Sequence, residues 1–260
     1  MFTGYLWLVI TLILQAAILA GCNQAPTATT TPEPTTVTTE LPATATVTPQ
    51  PTSTPFDASK YAFPEAIDPA SRYLFYIHGR IIEVQGIPAV DPTFGEYQYP
   101  AILEKLAGYG FVVLSEPRLE DTDSVKYARR IAGQVRELLQ AGVPAQNVTV
   151  VGASKGAAIT IFVSNLLEDP EINYVLLAIC EPGLVQDLVN NQISLSGNVL
   201  SIYDSIDPYA GTCQDLFAFS EGKGLARHDE IVLNLGLSHG LLYRPLDEWV
   251  LPTIEWAGGL

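Results

Sequence analysis

The chain has 260 residues and is strongly acidic, with 13 lysine and arginine residues against 28 aspartate and glutamate residues and a net charge of −15. A protein of this charge repels a phosphate backbone, which excludes nucleic acid as its main partner. The 260 − 56 = 204 residues after position 56 are enough for one domain with a buried core and too few for two.

The first 21 residues are mostly apolar, carry no charge and end in Leu19-Ala20-Gly21-Cys22. Small residues at this place are typical of a signal-peptide cleavage site. The ending resembles the bacterial lipoprotein box, which implies a signal peptide over residues 1–21 and lipidation of Cys22. The apolar run is also long enough for an uncleaved transmembrane helix. Both alternatives place the remaining chain outside the cytoplasm, and the first predicts a membrane-anchored bacterial lipoprotein.

Residues 22–56 consist largely of threonine, proline, alanine and valine. A segment with so few large apolar side chains and so many prolines cannot build a core, and it stays extended and solvated. We therefore expect a disordered tether over residues 22–56 and a folded domain over residues 57–260.

Six short runs of β-branched and aliphatic residues predict the strands of this domain. They cover residues 73–77, 111–114, 148–151, 174–179, 199–203 and 231–235. Nearly continuous apolar runs are typical of parallel strands that are covered on both faces. Helices are predicted over residues 99–107, 123–140 and 157–167, the second with a charged outer face. This alternation predicts a three-layer α/β sandwich with a mostly parallel sheet of about six strands.

A candidate nucleophile lies between the third strand and its helix, in Gly152-Ala153-Ser154-Lys155-Gly156. A G-x-S-x-G match alone is weak, but strand, sharp turn and helix are the setting of a nucleophile elbow. The serine of such an elbow has strained dihedral angles, so the residues two positions away must lack side chains. The following helix N terminus favours negative charge.

Residues 73–257 resemble the α/β-hydrolase superfamily, in which serine, acid and histidine follow one another along the chain. Asp204-Ser205-Ile206-Asp207-Pro208 follows the strand at 199–203, and Gly236-Leu237-Ser238-His239-Gly240 follows the last strand. The resemblance implies a triad of Ser154, Asp207 and His239. Asp204 is the alternative acid, and the spacing from the strand favours Asp207.

The same resemblance implies an oxyanion hole made of backbone N–H groups. His78-Gly79-Arg80 follows the first strand, so Gly79 or Arg80 is expected to supply one N–H group and Lys155 the other. The side chain of Lys155 should point away from the nucleophile, and His78 is expected to be structural.

Two further residues compete weakly for a catalytic role. Glu181 follows a strand end and is a less favoured acid. His228 lies ahead of the last predicted strand, at the edge opposite the site, and is expected in a solvated loop.

Cys180 and Cys213 remain once Cys22 is assigned to the targeting segment. An even pair in an oxidising compartment favours a disulfide, with two buried free thiols as the alternative. The cysteines and histidines lack the spacing of a zinc site, so no metal and no cofactor is expected.

The sequence departs from larger hydrolases in leaving no room for a cap domain between the strands at 174–179 and 199–203, or for the usual first hairpin before residue 72. The insertion at residues 81–98 is expected to form one wall of an open site. We expect a serine hydrolase that acts on an ester or amide bond of a small-molecule or peptide acyl substrate through an acyl-enzyme. The alternative is a catalytically silent surface binding lipoprotein with the same fold.

Overall fold

The computed structural model describes residues 56–258. The predicted signal peptide, Cys22 and nearly all of the tether lie outside the described residues. The strands are β1 (Arg72–Ile77), β2 (Ala89–Asp91), β3 (Gly95–Tyr97), β4 (Phe111–Leu114), β5 (Val148–Ala153), β6 (Asn173–Leu177), β7 (Gly197–Asp204) and β8 (Leu225–Leu233). The α-helices are α1 (Arg80–Gln85), α2 (Tyr99–Ala107), α3 (Ser124–Gln140), α4 (Lys155–Leu167), α5 (Pro182–Asn190), α6 (Gln214–Ser220) and α7 (Asp247–Trp256).

Six of the strands form one sheet in the order β4-β1-β5-β6-β7-β8, and every neighbouring pair is parallel. The predicted three-layer α/β architecture is confirmed. The remaining strands, β2 and β3, pair as a small antiparallel hairpin inside the predicted insertion. Residues 56–71 contain no strand, and β6 and β7 are joined by a single helix, α5, as the spacing predicted.

Alternation along β1 shows how the sheet is buried on both faces. Tyr73, Phe75 and Ile77 pack into one core with α3, α4, α5 and α6. Leu74 and Tyr76 pack into the other core with α2, α7 and the hairpin. Successive side chains of a strand point to opposite faces, so a continuous apolar run serves both cores.

The longest predicted helix follows its sequence pattern closely. The Asp123 carboxylate caps α3 by accepting a hydrogen bond from the backbone N–H of Lys126 at 2.8 Å. The buried residues of α3 lie on its apolar stripe, and they are Ala128, Ile131, Ala132, Val135 and Leu138. Within residues 56–258 no helix is long and apolar enough to span a membrane.

The start of the last strand was predicted wrongly, by six residues. β8 begins at Leu225 rather than at residue 231, so His228 lies within the strand and not in a loop ahead of it. The His228 side chain is exposed, and its ring stacks on that of Phe217 with the ring centroids 4.5 Å apart.

The chain changes direction across the sheet between β1 and β5. The first connection runs from β1 to β4 on one side of β1, and α3 then carries the chain back to β5 on the other side. In open α/β sheets the crevice at such a switch point, outside the carboxyl ends of the strands, is where ligands bind. The predicted nucleophile and oxyanion loop follow these two strands.

Candidate active site

Ser154 occupies a strained turn between β5 and α4. Its backbone has φ 53° and ψ −119°, a region that side-chain-bearing residues rarely adopt. A β-carbon on Gly152 would lie 2.3 Å from the carbonyl oxygen of Gly156, and one on Gly156 would lie 1.8 Å from the carbonyl oxygen of Ile77. Glycine is thus required on both sides of the elbow, for the steric reason that the sequence motif suggested.

The side chains of Ser154, His239 and Asp207 form a hydrogen-bonded chain. His239 Nε2 is 2.9 Å from Ser154 Oγ, and His239 Nδ1 is 2.7 Å from Asp207 Oδ2. A carboxylate only accepts hydrogen bonds, so Nδ1 carries the ring proton and Nε2 is free to accept from the serine hydroxyl. The Asp207 side chain is fully buried, whereas that of His239 is 15% exposed. The arrangement can take a proton from Ser154 and stabilise the resulting imidazolium.

The two competing aspartates have different positions. Asp207 uses its second oxygen to accept from the backbone N–H of Tyr209 at 2.9 Å, which fixes the carboxylate towards the histidine. Asp204 instead accepts backbone N–H groups of Ile206 at 3.2 Å and Leu237 at 3.0 Å. Asp204 therefore ties the loop after β7 to the loop that carries His239.

The predicted oxyanion donors begin two helices that meet at the elbow. Arg80 is the first residue of α1 and Lys155 the first residue of α4, and first-turn N–H groups have no acceptor within their own helix. A β-carbon built on Gly79 would be 3.7 Å from the β-carbon of Ser154, so the two loops touch. Of the two predicted residues, Arg80 begins α1 whereas Gly79 precedes it, so the N–H of Arg80 is the candidate donor from this loop.

His78 lies behind the oxyanion loop and is wholly buried. Its Nε2 accepts from the backbone N–H of Arg118 at 2.9 Å, so Nδ1 is the protonated nitrogen and donates to the Gly79 carbonyl at 2.8 Å. Burial lowers the pKa of His78 to about 3, with the neighbouring Arg118 charge as the second cause. A ring that stays neutral with both nitrogens occupied is a structural element of the loop.

The side chains of Lys155 and Glu181, which were not favoured as catalytic groups, make other contacts. Lys155 points away from the nucleophile, since its Nζ donates to Glu83 at 2.5 Å and to the Thr122 carbonyl at 2.8 Å. Glu181 caps α5 by accepting from the backbone N–H of Leu184 at 3.1 Å.

A disulfide joins Cys180 and Cys213 next to the acid loop. Nearby, the backbone N–H of Gly211 donates to the Ile179 carbonyl at 2.9 Å. The Glu230 carboxylate accepts from the backbone N–H of Cys213 at 2.7 Å. Together these contacts attach the segment after Asp207 to the end of β6 and to β8, the two strands on either side of β7.

The hairpin of the predicted insertion packs beside the histidine loop, as expected of a wall. A β-carbon on Gly240 would lie 2.7 Å from the ring of Phe94, which sits at the turn of the hairpin. The ring of Tyr243 lies 5.3 Å from that of Phe94 and 5.1 Å from that of Tyr97, between ring centroids. The part of the chain at residues 56–258 contains no group of three His, Cys, Asp or Glu side chains placed to hold a metal ion.

Sequence reasoning missed two charged residues at this edge. Glu83 and Arg118 are buried and contact Lys155 and His78, respectively. Both follow the carboxyl ends of strands, which is the only sequence signal that could have marked them.

Comparison with known proteins identifies the fold. No protein-family model matches the chain, and no curated protein sequence does. Among solved structures, a proposed carboxylesterase from Lactobacillus plantarum matches with a TM-score of 0.50 and 15% identity over 74% of this chain and 90% of that chain. The domain has the α/β-hydrolase fold. Arabidopsis thaliana SOBER1 matches at TM-score 0.45 and 12% identity over 71% of this chain and 100% of that one. The Pyrococcus furiosus esterase Pf2001 matches with a TM-score of 0.48 and 14% identity over 74% of this chain and 86% of that chain.

Proposed function

We propose that this α/β-hydrolase domain is a serine hydrolase that cleaves an ester or amide bond through an acyl-enzyme. The hydrogen-bonded order of Ser154, His239 and Asp207 at a strained elbow carries the proposal. A binding module with the same fold would need neither the strain at Ser154 nor the buried carboxylate behind the histidine.

Each step of the reaction has a group in place. His239 takes the hydroxyl proton of Ser154 while the serine oxygen attacks the carbonyl carbon, and the carbonyl oxygen becomes an oxyanion. The backbone N–H groups of Arg80 and Lys155 stabilise that oxyanion. His239 then protonates the leaving group, which departs as an alcohol or amine. Water, activated by the same imidazole, hydrolyses the acyl-enzyme and frees Ser154.

The surroundings of the triad favour an accessible substrate. Only α5 connects β6 and β7, where larger relatives of this fold place a cap, so the site is open. Tyr209 and Ile206 flank the acid and are 58% and 60% exposed. The Tyr209 ring meets His239 edge-on, with the centroids 5.5 Å apart. We propose a soluble ester or a peptide with an apolar group near the scissile bond.

Labelling with a fluorophosphonate tests the serine mechanism. Wild-type protein should be labelled stoichiometrically and Ser154→Ala not at all. Ser205→Ala is the matched control, because the Ser205 hydroxyl is exposed and bonded to Asn234 rather than to the triad. Equal labelling of wild type and Ser154→Ala would refute the assignment. His239→Ala should reduce turnover of an activated ester by about a thousandfold or more.

We further propose that Cys22 is lipidated and holds the enzyme at a membrane outside the cytoplasm. The proposal is supported by the Leu19-Ala20-Gly21-Cys22 ending and by the Cys180–Cys213 disulfide, since disulfides persist in oxidising compartments. Mass spectrometry of the membrane fraction should find a chain that begins at a diacylated Cys22, and Cys22→Ser should block processing. A chain that retains residues 2–21 would instead show an uncleaved anchor.

A further inference from the structure

Three ionisable side chains meet behind the elbow and form what we call the charge clamp: Glu83, Arg118 and Lys155. Glu83 Oε1 lies 2.7 Å from Arg118 Nε, and Glu83 Oε2 lies 2.5 Å from Lys155 Nζ. The side chains of Glu83 and Arg118 are 1% and 0% exposed, and that of Lys155 is 22% exposed. The proton transfers of the triad use none of these groups.

Stability alone is a poor explanation for the clamp. Removing charges from water costs several kcal/mol per ion, and apolar replacements of buried ion pairs are often neutral or stabilising. One carboxylate here faces two cations. In addition, Arg118 Nη1 has no hydrogen-bond partner among residues 56–258, and the guanidinium carbon lies 5.3 Å from the centre of the Tyr127 ring. Such an arrangement is better explained by the main-chain segments around the elbow that it holds in place.

The clamp reaches the oxyanion loop from two directions. Arg118 Nη2 donates to the His78 carbonyl at 2.5 Å, and the backbone N–H of Arg118 donates to His78 Nε2 at 2.9 Å. These bonds fix the residue that precedes Gly79 and Arg80. Glu83 lies on α1 one turn after Arg80, so its carboxylate fixes the helix whose first N–H is the candidate donor.

On the other side the clamp reaches the nucleophile helix. Lys155 is both the first residue of α4, with the second candidate N–H group, and the side chain that binds Glu83. The Glu83 carboxylate is therefore the link between the two helix N termini that supply the oxyanion donors. Their spacing has to match the oxyanion within a few tenths of an ångström, because a donor acts over about 2.7–3.1 Å.

We propose that Glu83 is a positioning residue that sets the distance between the backbone N–H groups of Arg80 and Lys155 and thereby shapes the oxyanion hole. The inference rests on the proposed serine-hydrolase function. Glu83 acts through Arg118 and Lys155 and does not touch the substrate.

The test compares Glu83→Gln with Glu116→Gln. The Glu116 side chain pairs with Arg130 on the surface and is 38% exposed, so the same chemical change there leaves the clamp intact. With p-nitrophenyl acetate, kcat of Glu83→Gln should fall about tenfold to a hundredfold, less than the loss of a whole donor. KM should stay within about twofold, since the ground-state carbonyl depends less on the hole than the oxyanion does. Glu116→Gln should retain wild-type kcat.

A second readout separates the oxyanion hole from general damage. Phenylboronic acid forms a tetrahedral adduct with the serine, so its affinity should fall in proportion to kcat/KM in Glu83→Gln. The pH profile of kcat/KM should keep the midpoint of the wild-type profile, because the general base is unchanged. Thermal unfolding fixes an assay temperature at which both variants are folded. If Glu83→Gln does not fold, Lys155→Met removes only the partly exposed member of the clamp and should show the same losses. Lys155→Arg should restore part of them.

Two results would overturn the inference while leaving the proposed function intact. One is wild-type kcat in folded Glu83→Gln or Lys155→Met. The other is a loss of kcat without loss of affinity for phenylboronic acid. A wild-type chain without Ser154-dependent turnover would overturn both the inference and the proposed function.

Discussion

Gly156→Ala should destabilise the domain strongly because the elbow is pressed against the end of β1. The added β-carbon would stand 1.8 Å from the Ile77 carbonyl oxygen and 2.8 Å from that of His78. Real β-carbons essentially never come within 3.0 Å of such an atom, so α4 and β1 would have to separate by at least 3.0 − 1.8 = 1.2 Å. Both obstacles are main-chain atoms and cannot swing aside.

The size of the effect follows from that geometry. Overpacking of a core commonly costs about 1–3 kcal/mol, and a backbone clash belongs at the upper end, so we expect a loss of about 3 kcal/mol or more. Gly133→Ala is the matched control, because Gly133 lies within α3 and its β-carbon would meet no atom within 4 Å. That substitution should stabilise the domain by about 0.5–1 kcal/mol through helix propensity.

Urea unfolding followed by tryptophan fluorescence measures both changes, since Trp249 and Trp256 lie on α7 within the folded domain. A Gly156→Ala protein whose free energy of unfolding is within about 0.5 kcal/mol of wild type, the ordinary range for surface substitutions, would refute the close approach of α4 to β1. Gly156→Ala should also lose turnover while folded, because Ile77 precedes the oxyanion loop.

Three further predictions concern the site and its surroundings. Asp207→Asn should lower turnover by about 10⁴-fold, whereas Asp204→Asn should lower the free energy of unfolding by about 1–3 kcal/mol through a lost buried acceptor. Steady-state kinetics and urea unfolding separate the two effects, and reversed effects would assign the acid to Asp204. Alkylation without reduction should leave the mass of the two bridged cysteines unchanged, and two added alkyl groups would show free thiols. The pKa of His78 is lowered from 6.5 to about 3, so only the unfolded chain takes up this proton between those values. His78 should therefore lower the free energy of unfolding by about 1.4 kcal/mol for each pH unit below that upper value. This slope should appear in the difference between the wild-type and His78→Gln curves.

The parts of the fold that could be predicted are those with a local physical cause. The central strands are buried on both faces, so the sequence of each is a nearly continuous apolar run. β8 differs because it is an edge strand, and its first six residues are Leu225, Ala226, Arg227, His228, Asp229 and Glu230. Most of these side chains are exposed, and backbone pairing with β7 holds them. Since no apolar face is needed there, the start of the strand left no pattern in the sequence.

The candidate site divides in the same way. The order of Ser154, Asp207 and His239 was available from the resemblance to the α/β-hydrolase superfamily, and the structure places the three side chains in contact. The charge clamp had no such precedent. Its contacts join residues 35 and 72 positions apart in the chain, and neither spacing nor periodicity encodes a pair that forms only after the sheet is assembled.

The position of the candidate oxyanion hole follows finally from the register of two strands that are not consecutive in the chain. In the parallel pair of β1 and β5, Ile77 lies opposite Gly152, so the oxyanion loop and the elbow leave the sheet side by side. A slip of one residue would move one loop past the other by about 3.3 Å, more than the length of a hydrogen bond. Main-chain pairing alone specifies register weakly. The tight fit of Gly156 against Ile77 and the link from Glu83 to Lys155 both oppose such a slip, one by steric contact and the other by charge. The candidate oxyanion hole is thus held at two points, on either side of Ser154.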